Sequence, residues 1–95
     1  MPMVYRLGFT RTPDGYLRVT ACAAGATLTA VHLNPSVLVA AADVAKVPKH
    51  HLRDIQFAAE TAWRREDLDI CCETVSLDSD QLDKLGFLRN WPTKG

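Results

Sequence analysis

The side chains best equipped for chemistry gather in the middle of the chain, where Lys49, His50, His51 and Arg53 follow Lys46-Val47-Pro48 at the start of a helically spaced run. Cations in a first helical turn oppose the helix dipole, which disfavours each by roughly 0.3–1 kcal/mol at exposed sites. A bound anion would reverse that penalty, so these four residues form a candidate anion-binding group. The plainer account is a solvated basic turn on long side chains. His50 and His51 also suggest metal, as do Cys71 and Cys72. Yet no Cys-x-x-Cys or His-x-x-x-His spacing brings ligands to one point, and adjacent helical residues diverge by about a quarter turn or more. No metal site is expected. A nucleophilic pair such as Cys72 with His32 needs hydrogen-bond reach and has no motif behind it. Asp67, Asp69 and Glu73 offer carboxylates for acid–base work, but Asp67 and Asp69 flank the start of a strand beside Arg64 and Arg65, where weak exposed ion pairs are ordinary. No catalytic residue is assigned.

A second group is suited to contact. Trp91 stands between Asn90 and Pro92 after the last predicted element, and either docks on its own domain, which a small core favours, or meets a partner. Arg6 and Arg18 lie in predicted strands of a sheet whose edge needs cover, and they either guard that edge or touch a partner. Trp63 falls on an apolar helix face and reads as core, its indole N–H reaching a carbonyl. Eleven basic residues balance eleven acidic ones, so no net field draws in nucleic acid or an anionic membrane. Three cysteines are an odd number, and strand neighbours such as Cys71 and Cys72 point to opposite faces, which fits reduced thiols in the cytoplasm. The amino terminus carries no charged segment followed by an apolar run, and no apolar stretch is long enough to span a bilayer. A soluble, unsecreted protein is expected, with a protein partner or self-association as a homodimer.

These residues need a scaffold, and 95 residues at 47% apolar content give one small domain over 1–95. Tyr5, Leu7 and Phe9 alternate with polar or small neighbours, as do Leu17, Val19 and Ala21, while Pro13-Asp14-Gly15 makes a tight turn between them. Gly25 precedes a third strand over 27–33, completing an antiparallel meander. Residues 37–45 stay open: Val-Leu-Val favours a strand, whereas three alanines, with Pro35 placed for a first turn, favour a helix. Leu52, Ile55, Ala59, Ala62 and Trp63 recur at helical spacing, predicting a long helix over 52–65. Apolar residues on both faces of 68–75 predict a strand inside the sheet. Asp78 and Ser79 cap a short helix that Gly86 ends. The fold class is α+β: a mostly antiparallel sheet, the meander plus one or two further strands, with one long helix packed on it and a short C-terminal helix.

From about residue 37 to 88 this order, closing on Gln81-Leu82-Asp83-Lys84-Leu85-Gly86-Phe87, resembles the carboxyl-terminal half of GNAT-type N-acetyltransferases, where Leu-Tyr-x-Lys-Leu-Gly-Phe is a common closing phrase. The resemblance implies acetyl-coenzyme A as cofactor, with its pantetheine arm admitted between two splayed parallel strands. Its pyrophosphate would lie on an Arg/Gln-x-x-Gly-x-Gly/Ala loop at the start of a helix. Here that loop is Lys46-Val47-Pro48-Lys49-His50-His51, which has no glycine, and Pro48 lacks a donor. The tyrosine that often protonates the leaving thiolate falls on Leu82. An amino-terminal strand and helix that shape the acceptor side are missing. The expectation is a reduced, non-catalytic relative that serves as a protein-interaction or regulatory module and needs no cofactor. The alternative is acyl transfer from a coenzyme A thioester, with Lys49, His50 and His51 at the pyrophosphate.

Overall fold

The computed structural model describes residues 3–23, 25–65, 70–71 and 74–87. One-sided burial builds the first three strands, β1 (Met3–Arg11), β2 (Leu17–Ala23) and β3 (Ala26–His32). Tyr5, Leu7, Phe9, Leu17, Val19 and Ala21 are buried, while Arg6, Arg18 and Cys22 between them are exposed. The β1–β2 turn falls where predicted. Thr12 accepts from the Gly15 N–H at 3.0 Å and donates its own N–H to Tyr16 at 2.7 Å. Gly15 supplies the positive φ of 90° that this turn requires.

The ambiguous run is a helix, α1 (Pro35–Val44). Asn34 Oδ1 accepts from the Val37 N–H at 3.0 Å, and Pro35 sits in the first turn. Two local end signals outweigh the β preference of Val-Leu-Val. The long helix, α2 (Lys49–Arg64), begins one turn earlier than the spacing predicts. Its buried face is Ile55, Ala58, Ala59 and Ala62, and the three alanines let the helix lie close against β1. Trp63 is only partly buried. Its ring lies 4.3 Å beneath the Arg11 guanidinium, and Arg11 Nη1 donates to the Trp63 carbonyl at 3.3 Å. The residue taken for core is thus a rim contact of cation–π type.

The predicted late strand is present as β4 (Ile70–Cys71) and β5 (Val75–Leu77), and its place differs from expectation. Sheet order is β3-β2-β1-β4, with β5 also on β1, and every described pairing is antiparallel. Among the described residues β4 and β5 pair with β1 alone, which sets them at the edge of the described sheet and not inside it. Gly8 faces Cys71 and Tyr5 faces Val75, so the late segments meet β1 at two places along its length.

The chain closes with α3 (Ser79–Lys84). Its capping box is complete: Asp78 Oδ1 accepts from the Gln81 N–H at 2.8 Å, and Gln81 Oε1 accepts from the Asp78 N–H at 3.0 Å. Gln81 Nε2 also donates to the Ala45 carbonyl at 3.1 Å, tying α3 to the end of α1. Asp80 raises the Lys84 pKa through a 2.9 Å hydrogen bond, an exposed i,i+4 pair of little weight for stability. Gly86 turns at φ 91° and delivers Phe87 into the core.

His32 is a partly buried imidazole that anchors the end of β3 to the last turn of the described chain. Its Nε2 lies 3.0 Å from the Leu85 carbonyl oxygen and therefore carries the proton there. Burial lowers the His32 pKa, and the bond to Leu85 partly opposes that shift. The folded state therefore holds fewer protons than the unfolded one just below the ordinary imidazole value. The His32 contribution is full above about pH 6.5 and is lost as pH falls toward the lowered folded value. Urea midpoints at about pH 7.5 and about pH 5.5 should show the protein weaker in acid, and His32→Gln should shrink that difference.

Candidate functional site

Two surfaces hold the side chains singled out by the sequence. The first is an open groove of about 490 Å³ between α1 and α2, with Val39, Ala40 and Leu52 as its apolar lining. A tight helix-to-helix connection makes it. The Lys46 N–H bonds Asp43 O at 3.0 Å and the Val47 N–H bonds Ala42 O at 3.1 Å, the paired bonds of a Schellman ending. Lys46 takes φ 62°, the left-handed position usually given to glycine. Lys46→Gly should therefore raise stability by about 0.5–1 kcal/mol, read as a higher urea midpoint at unchanged slope.

Of the four candidate anion ligands, the structure brings two into this groove. Lys49 and Arg53, one turn apart on α2, line it together with Asp43 and Glu60, so two acidic groups share the space. His50 is exposed and stacks on His51, with ring centroids 4.1 Å apart at 41°. His51 is partly buried, and its Nδ1 has no hydrogen-bond partner among the described residues. Pro48 heads α2 without a side-chain cap. The cluster thus divides between a groove of mixed charge and a separate histidine pair.

The second surface is the outer face of the sheet. Arg6 and Arg18 stand on β1 and β2, which are paired on both sides, so neither guards an edge. Their side chains face solvent instead. Arg6 is directly opposite Cys22, and both border a shallow depression of about 410 Å³ beside Thr27. Cys22 is exposed, on the face of β2 opposite Leu17, Val19 and Ala21, and it accepts a weak 3.7 Å hydrogen bond from Thr27 Oγ1. Trp91, Cys72, Asp67, Asp69 and Glu73 lie outside the described residues.

What sequence reasoning missed is the identity of the free edge. Among the described residues β3 pairs with β2 alone. Its seven residues, Ala-Thr-Leu-Thr-Ala-Val-His, include no lysine, arginine, carboxylate or proline. Those are the devices that usually blunt an edge. The signal was legible as an uncharged strand, but its position depends on β1 recruiting β4 and β5 from the far end of the chain.

Among the described residues no group of histidines, cysteines and carboxylates is arranged to hold a metal, and no helix is long and apolar enough to cross a membrane. No protein family, curated protein or solved structure matches the chain.

Proposed function

We propose that this protein is a small non-catalytic interaction or regulatory module of the cytoplasm, which holds a protein partner along the free edge of β3. The observation that carries this is the unblunted edge itself: a seven-residue strand with no charged guard and no proline, paired on one side among the described residues. Such an edge adds a strand from another chain through main-chain hydrogen bonds. In this role Arg6 and Arg18 present positive charge on the adjoining outer face, Trp91 adds a contact, and Lys49 with Arg53 supplies a secondary anion site in the helix groove.

The likeness to a reduced acetyltransferase half accounts for the order of elements without requiring its chemistry. Two observations favour binding over acyl transfer from acetyl-coenzyme A: all described strand pairs are antiparallel, and the basic residues divide between groove and solvent. Saturating acetyl-coenzyme A is expected to leave the melting temperature unchanged. A ligand at about 100 times its dissociation constant would stabilise by roughly 2.7 kcal/mol, and a shift of that size would reverse the preference.

The direct test places a photo-cross-linking residue at Val31 or, as a control, at exposed Phe57, in living cells. Protein adducts should form from position 31 and not from 57, and Thr29→Pro should abolish them. Absence of adducts from position 31 would remove the proposal.

A further inference from the structure

The direction of each main-chain group on β3 follows from the ladder. Thr12 donates its N–H to Tyr16, so this pair is of the hydrogen-bonded type. Such pairs alternate along an antiparallel ladder. Thr10 and Arg18, Gly8 and Thr20, and Arg6 and Cys22 therefore bond one another. On the other side of β2, Leu17, Val19 and Ala21 bond His32, Ala30 and Leu28. The Ala23–Ala26 pair, closed by a two-residue connection, fits the same phase. It follows that the N–H and C=O groups of Thr27, Thr29 and Val31 point away from β2 into the open edge.

We infer that the occupant of this edge is a second copy of the same chain, its β3 antiparallel to the first across a twofold axis at Thr29. This rests on the edge-binding role proposed above and names its partner. One register brings all the outward groups of both strands together: Thr29 faces Thr29 of the second copy, and Thr27 faces its Val31. Shifting the register by two residues leaves one of these pairs unmatched at the end of the strand. The interface is isologous, as a twofold dimer requires. The strand carries no formal charge, apart from partly buried His32, so the axis brings no like charges together. Across the junction, Thr27 and Val31 are exposed β-branched side chains, of the kind that pair well between strands.

The joined sheet also gives Arg6 and Arg18 a shared setting. Arg18 faces Val31, and Cys22 faces both Arg6 and Thr27, within each copy. One row of the outer face therefore runs Arg18, Val31, then Thr27, Cys22 and Arg6 of the second copy. The guanidinium groups stand at opposite ends of the row, with three uncharged residues between them.

Sedimentation equilibrium of the purified chain at high micromolar concentration should show a dimer. Oxidation in a Cys22→Ser background, itself the control, should join Thr29→Cys chains, because facing Cα atoms in such a pair lie about 5.5 Å apart, within disulfide range. Thr27→Cys alone should stay unjoined, and Thr27→Cys with Val31→Cys should join. Thr29→Pro removes an outward donor from each copy and leaves the β2 ladder intact, so dissociation should strengthen by about thirtyfold. Thr29→Lys, which sets two ammonium groups across the axis, gives the same readout if the proline variant fails to fold.

A monomer under these conditions overturns the dimer. If position 31 still yields adducts with another protein in cells, the edge-binding role survives; if it yields none, both fall. A dimer that persists in Thr29→Pro and Thr29→Lys lies elsewhere on the molecule and also overturns the inference.

Discussion

Phe87→Ala should bring the protein to the brink of unfolding, with a loss of about 3–5 kcal/mol in urea denaturation followed by tryptophan fluorescence. The size follows from how the core is filled. Among the described residues twenty apolar side chains are buried, seven of them alanines, and only Phe9 and Phe87 contribute fully buried aromatic rings. Bulk is therefore concentrated in few side chains, and the collapse of alanine neighbours does little to refill the space a phenyl group leaves. A domain of this length has a total stability of roughly 5–14 kcal/mol, so one such truncation removes a large part of it. Phe57→Ala is the matched control. That ring is 72% exposed, and its loss should change stability by less than about 0.5 kcal/mol. A Phe87→Ala variant within about 1 kcal/mol of the parent would show that the ring is not the keystone its burial implies.

Ala59→Leu is expected to destabilise by about 1–3 kcal/mol, although leucine is nearly as good a helix former as alanine. Ala59 has no accessible surface and lies on the small-residue face by which α2 approaches β1. Three added carbons have no space, so the helix must lift from the sheet or leucine must leave its preferred rotamers. Gln56→Leu, one turn earlier on the exposed side, separates the two effects, since it changes composition without crowding the core. If Ala59→Leu were neutral, the close seating of helix on sheet would be disproved.

The residues that announced themselves were those whose burial follows a local period. Tyr5, Leu7 and Phe9, and then Leu17, Val19 and Ala21, alternate because one face of the sheet is covered, and that pattern survives without knowing what covers it. Asp78 and Gly86 were equally plain, because capping and chain reversal are set within a few residues. The run 37–45 was not, since side-chain preference and end signals disagreed, and Asn34 with Pro35 decided it. Residues 68–75 misled for a different reason: apolar side chains on both faces report cover, not the number of neighbouring strands. Arg6 was misplaced by the same gap, because whether β1 is an edge depends on residues more than sixty positions away, whereas Arg18 lies on β2, which the meander already pairs on both sides. Of the candidate ligands, only the pairing of Lys49 with Arg53 follows from helical spacing. The groove they line needed the left-handed Lys46, which no residue type advertises.

Because β1 receives β2 from its near neighbour in sequence but β4 and β5 from the last third of the chain, the domain cannot seal its sheet during early synthesis. A nascent chain that has left the ribosome only as far as α2 has every piece of the meander and both α1 and α2, yet one flank of its first strand is bare. Contacts of such wide sequence separation form late and slowly. For that interval the growing polypeptide offers two sticky margins instead of one, and the arrival of Val75–Leu77 is the event that retires the first.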